Sequence, residues 1–412
     1  MHNLLRTLLF ALTVFPGLGL AAESDESIFS FDAFGTLGVV YSDEDQADFS
    51  GSSLKPDGAG HSRRWTADVD TLIGGQLTAN FTERLSAVIQ VISELTPDGD
   101  YAPHVEWANL QYHVTPELSI RIGRSVLPSF YVSTYRKIGY ANHWVRPPIE
   151  LYDLVPITSR DGISANYTIF RGNMMNSLEL TYGQTQTDIV KGYTLEAREG
   201  WSISDTFESG DLTIHASYQG ATLNLDTYDA LFAGFRSFGA AGDNIASRYN
   251  PNDKNLTYVG LGVSYDPGRW FVIGEWGQTR SDRSILGDRS AAYVSGGHRF
   301  GTLTPYVTLA RTWHETFPAE PGLDLSALPP SQATAAGSLN NALLSSLTAI
   351  PRQNSLSVGA RWEVNRQMAF IAQFDHSNIL NGSSGFLTNL QPGFRRGGSL
   401  NLFSASLNFV FP

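Results

Sequence analysis

Leu118-Ser119-Ile120-Arg121-Ile122-Gly123-Arg124 alternates apolar and polar side chains with the two-residue period of a strand whose faces meet different media. The same period resumes at Asp161-Gly162-Ile163-Ser164-Ala165-Asn166-Tyr167. Between them, residues 125–160 are too many for an ordinary connection, and loops of that length are usually functional or disordered. Phe130, Tyr131, Tyr135, Tyr140, Trp144 and Tyr152 argue against disorder, because such side chains seek burial. Arg136, Lys137, His143, Arg146, Glu150 and Asp153 are interleaved with them. We expect this insert to fold into the lumen of a β-barrel and to set the width and charge of a pore.

Working outward, the two-residue period recurs along the whole chain. It runs from Phe29 to Tyr41, then places Val69, Ile73, Leu77 and Ala79 on one face and Arg64, Asp68, Asp70, Gln76 and Thr78 on the other. Later pairs of runs meet at tight turns, such as Asp266-Pro267-Gly268-Arg269, whose Pro and Gly suit a type II turn. The last run sets Phe403, Ala405, Leu407, Phe409 and Phe411 on one face. The count is about sixteen strands, with tight turns after the even ones and longer connections after the odd ones. Residues 282–287 read as the shortest of the long connections, and residues 333–350 as a solvated loop with room for a short helix. That rhythm predicts a single all-β domain, a transmembrane antiparallel β-barrel with its third long loop folded inward. An even strand number lets first and last strands pair and removes the exposed edge. A soluble sandwich or propeller fits less well, since no fixed-period repeat is present.

Composition narrows the class. The 412 residues carry no cysteine, a formal charge of −12 and a mean hydropathy of −0.15. An acidic chain is a poor nucleic-acid binder, and the lack of thiols suits passage through an oxidising compartment. Arg6, the apolar run at residues 8–14 and Leu20-Ala21-Ala22 read as a signal peptide over residues 1–22, leaving 23–412 as the barrel.

Order along the chain carries a resemblance. The signal-like start, the loop rhythm, the strand entering the long insert and Asn408-Phe409-Val410-Phe411 together resemble a Gram-negative outer-membrane porin. The resemblance implies a water-filled channel, a constriction built by the third loop, a homotrimer, and surroundings of outer-membrane lipid and lipopolysaccharide. Two features depart from the family pattern. The chain ends in Pro412 rather than Phe, and the insert holds more cations than acids. The second departure points to weak anion preference.

Polar strand faces of such a barrel look into water, which makes Arg64, Asp68, Asp70, Arg121, Thr213, His215, Arg361 and Asp375 candidate lining residues, and Arg124 joins them where the strand meets the insert. From the insert we add Tyr131, Tyr135, Arg136, Lys137, Arg146, Glu150 and Asp153. Fixed charges at a constriction sort ions by sign. No nucleophile elbow or zinc-protease motif occurs, so neither enzyme activity nor a metal or cofactor is expected. The competing class is an adhesin or receptor whose long surface loops bind a partner.

Overall fold

The computed structural model describes residues 28–314, 322–326, 328–380 and 382–412. The expected signal peptide lies outside them.

Sixteen antiparallel strands close into one barrel among the described residues. They are β1 (Phe29–Ser42), β2 (Leu72–Asn80), β3 (Leu85–Glu94), β4 (His104–His113), β5 (Leu118–Val126), β6 (Ser159–Arg171), β7 (Met174–Ile189) and β8 (Tyr193–Ser209). The second half comprises β9 (Leu212–Leu225), β10 (Lys254–Tyr265), β11 (Trp270–Ser281), β12 (Arg289–His298), β13 (Leu303–His314), β14 (Gln353–Glu363), β15 (Met368–Ile379) and β16 (Gly398–Phe411). Each strand pairs with its neighbours in sequence, and β1 pairs with β16 from Ala33↔Phe411 to Ser42↔Leu402. Closure leaves no edge and satisfies the backbone of every strand within the wall.

The wall carries its apolar side chains outward. Along β13, Val307 and Leu309 are 47% and 55% exposed, whereas Thr308 and Thr312 between and beyond them are buried. Ile73, Leu77, Ile122, Phe403 and Phe411 are exposed in the same way, as their parity requires. Short turns follow the even strands, and Gly268 takes the positive φ of 99° that a type II turn needs.

Three details differ from the sequence reading. Continuous pairing of the second strand begins at Leu72, beyond a two-residue rung of Trp65–Thr66 against β1, and Val69 between them is not on the outward face. It is buried with Phe49, Leu387 and Leu400 beneath the first and last long loops, where three two-residue strands, Asp48–Phe49, Ala59–Gly60 and Leu387–Thr388, form a small sheet. The shortest long-rim connection is residues 190–192, because β7 and β8 run 16 and 17 residues. Irregular register near Gly183 and at 199–200 breaks the alternation and hides their upper ends. Gly123, Gly162, Gly183 and Gly200 pair in one row across β5–β8. A Cβ on Gly162 would meet the Tyr182 carbonyl oxygen at 2.1 Å, so only glycine permits that backbone approach.

The third difference is helical. Residues 330–348 are not a solvated loop but a 19-residue helix. In chain order the helices are α1 (Ile149–Tyr152), α2 (Asp229–Arg236), α3 (Gly239–Tyr249) and α4 (Pro330–Thr348). Phe232 and Phe235 of α2, Ile245 and Tyr249 of α3, and Leu343 and Leu347 of α4 share a buried cluster above the long-loop rim. Burying these apolar stripes against each other is what holds such short helices.

Candidate functional site

The connection between β5 and β6, residues 127–158, packs on polar faces of strands far apart in sequence. At its start, Ser217 Oγ of β9 donates to the Ser129 carbonyl at 2.7 Å, and Gln219 Nε2 donates to Ser129 Oγ at 2.9 Å. Glu275 of β11 accepts from Tyr152 OH at 2.5 Å, Tyr293 OH at 2.6 Å and the Tyr131 amide at 2.8 Å. Trp144 Nε1 donates to Ser295 Oγ of β12 at 2.9 Å and to Thr308 Oγ1 of β13 at 3.1 Å. Arg361 Nη1 of β14 donates to the Asn142 carbonyl at 3.0 Å, and its guanidinium lies 4.9 Å from the centre of the Tyr140 ring. Glu150 of α1 accepts from Gln353 Nε2 at 2.7 Å and from Ser355 Oγ.

Aromatic side chains fill the space between these bonds. Phe130, Trp144, Leu151 and Tyr152 join Tyr258, Phe271, Tyr293 and Tyr306 of β10–β13 in one buried cluster, with Tyr131 and Tyr135 packed against it. Burial pushes the Tyr152 hydroxyl well above its ordinary range, with Glu275 adding to the effect. His143 stacks on Phe271 with centroids 3.9 Å apart. Burial, then Arg361 and Arg299, push its imidazole down to about 3.

The opposite flank is charged and hollow. A cavity of about 960 Å³ opens there, bordered by the first long loop, β3, β4 and the 127–158 segment. Lys137 pairs with Glu94 of β3, and Lys55 Nζ lies 3.5 Å from the other Glu94 oxygen. Arg146 Nε and Nη2 donate to Asp70 at 2.8 and 2.5 Å, and its Nη1 is 3.6 Å from Asp375. Although burial works against it, Asp70 holds the Arg146 guanidinium above its usual value. Arg136 donates only to the Tyr152 and Val155 carbonyls, at 3.2 and 3.5 Å, and stands over the Tyr152 ring. Among the described residues no carboxylate is within ion-pair reach of it.

The sequence-predicted residues separate into groups. Asp70, Arg136, Lys137, Arg146 and Asp153 border this cavity, where Asp153 accepts from the Ser53 amide and pairs with Arg289 at 3.4 Å. Glu150, Tyr131, Tyr135, Thr213, His215, Asp375 and Arg361 do not border it; they sit in the packed flank or brace it. Arg121 pairs with Glu179 across β6 at 3.9 Å, away from the cavity. Arg124 shares the outward parity of Ile122 and pairs with Asp161 at 2.7 Å on the cavity's margin. Arg64 and Asp68 belong to the first long loop, paired with Asp45 and Arg63. Reasoning from sequence missed Lys55, Glu94, His104 and Glu106. Glu94 and Glu106 lie at strand ends beside a shift in register between β3 and β4, so parity gave no signal for them. Lys55 comes from a loop with no period at all.

No family model matches the chain, and no curated protein matches it in sequence. Solved structures do match in shape. The outer membrane channel DcaP of Acinetobacter baumannii aligns with a TM-score of 0.56 at 12% identity, covering 95% of this chain and 100% of that one. An anion-selective porin from Comamonas acidovorans gives 0.54 at 13%, over 93% and 100%. In-vitro folded OmpT of Vibrio cholerae, an outer membrane protein in a trimer form, gives 0.50 at 12%, over 93% and 100%. A closed sixteen-strand antiparallel barrel with these structural neighbours has the fold of the Gram-negative outer-membrane porins.

Proposed function

We propose that the chain is an outer-membrane channel through which small hydrophilic solutes and ions diffuse passively. The observation that carries this reading is the inversion of the wall. Exposed apolar side chains band the outside, while polar side chains and a hydrated-size cavity lie on the other face. Lipid tolerates the first arrangement and water the second. In this reading the 127–158 segment lies across the lumen as the constriction. Its contacts with β1, β3, β9 and β11–β16 support that position, because only the interior reaches so many strands.

Export by residues 1–22, residence among outer-membrane lipid and lipopolysaccharide, and assembly as a homotrimer belong to the same reading. The trimer form of the Vibrio cholerae protein supports the last. A weak anion preference is the finer part. Arg136, Lys137 and Arg146 favour it, and Glu94 and Asp70, which hold two of the three, keep it small.

Single-channel conductance of the full chain in a planar bilayer under a KCl gradient tests this. Steady steps are expected, grouped in threes, with a reversal potential displaced slightly toward that of chloride. A verified folded barrel with no conductance would sink the channel, and the helical cap over the rim would then point to a surface-binding role.

A further inference from the structure

We propose that Lys55, Lys137 and Arg136 form a binding station for the carboxylate or phosphate group of a small anionic solute, with Glu94 as the resident counter-ion that the solute displaces. The proposal rests on the channel reading above and deepens it by naming a solute class.

Its first support is stoichiometry. Two ammonium groups from separate loops share one carboxylate, Lys137 on Oε1 and Lys55 on Oε2. Each ammonium has three donors. Lys55 gives another to the Val69 carbonyl at 3.2 Å, which leaves donors on both lysines uncommitted to charge. Arg136 adds a third cation whose acceptors are carbonyls alone. The field of Glu94 reaches Arg136, so the four groups act on one volume. All four border the same cavity.

Nearby acids are otherwise engaged. Glu106 faces His104 at 3.6 Å, and Asp153 is held by Arg289 and the Ser53 amide. Burial pushes Lys55 and Arg136 below their ordinary values, the sign of cations that have given up water without full compensation. An entering oxyanion supplies that compensation through charge-assisted hydrogen bonds. Arg136 is also fixed in orientation by the Tyr152 ring, 5.2 Å from its guanidinium carbon. A pre-set guanidinium loses little freedom when it binds.

The test is single-channel conductance of the full chain against concentration of potassium acetate, potassium succinate and potassium phosphate. Conductance is expected to saturate with one or more of these anions, and which salt saturates identifies the group. Lys55→Gln and Arg136→Gln should each raise the half-saturation concentration roughly tenfold, the cost of one charge-assisted bond. Glu94→Gln should lower it, because the competing carboxylate is gone. Lys55→Arg should stay near the parent value. Circular dichroism of each variant checks that the barrel is intact.

A purely bracing triplet predicts otherwise: Glu94→Gln and Lys55→Gln would shift the curve in the same direction, and that result overturns the station. So does conductance linear in every anion for the parent chain and Glu94→Gln alike. If the parent conducts nothing, calorimetric titration of the detergent-folded protein with succinate and phosphate decides the station by itself. Binding weakened by Lys55→Gln would uphold it while the channel fell, and no binding would remove both.

Discussion

The two flanks of the 127–158 segment are built by opposite rules. Toward β9–β15 it is packed as a protein core, with aromatic rings in contact and carboxylates bound by neutral donors. Toward β3 and the first long loop it is held by ion pairs around open space. Dispersion and neutral hydrogen bonds fix a position rigidly, whereas charges at a wet surface are worth less and respond to what enters. The difference teaches that the position of the segment and the charge it presents come from different side chains, and the two can be perturbed separately.

The largest effect should come from the packed flank. Trp144 is 1% exposed, and Trp144→Ala should cost about 3–5 kcal/mol. Urea unfolding of the vesicle-inserted barrel, followed by circular dichroism, measures it, with noisy current expected from a loosened segment. Stability equal to the parent would break the contrast. Glu275→Ala should come next, at roughly 1–3 kcal/mol, because it leaves two tyrosine hydroxyls and an amide without their acceptor.

His143 sharpens the comparison through pH. Its folded value, about 3, lies below the ordinary imidazole value of 6.5, so the unfolded chain binds the extra proton between them. Stability from this site is therefore full above about pH 6.5 and is lost as pH falls toward 3. His143→Gln should flatten that dependence in the same unfolding assay. A parent chain equally stable at pH 7 and pH 4 would contradict it. The smallest effect should be at Arg198, half-exposed beside Asp253 at 2.7 Å. Arg198→Ala should change stability by only about 0–1 kcal/mol in the same assay.

The barrel was legible in the sequence because its rule is local. Each strand exposes apolar side chains on one side and buries polar ones on the other, so the period of two is written into every run from Phe29 to Phe411, and tight turns mark the ends. Legibility stopped where the partner was distant. The α4 run has no charged residue, and its small polar side chains read as loop until Phe232 and Phe235, far earlier in the chain, supply the surface it covers. Asp70, Arg136, Lys137 and Arg146, read from charge within the segment and parity beside it, border the cavity. Lys55 borders it too but carried no signal in the sequence, since its place depends on the small sheet that joins the first and last long loops.

Gly139 ties the segment to the seam of the barrel. It stands where a Cβ would come within 2.2 Å of Asn408 Oδ1 and 2.4 Å of Thr36 Oγ1, the two groups that hydrogen-bond across β1 and β16. Those partners are separated by 372 positions in the chain, so their meeting carries a heavy loop-closure entropy and belongs late on the folding path. Any side chain at 139 would press on that seam, because the pair leaves room there for glycine alone. Closure of the wall and docking of the segment therefore meet at one residue, and a bulkier side chain at 139 should slow barrel closure.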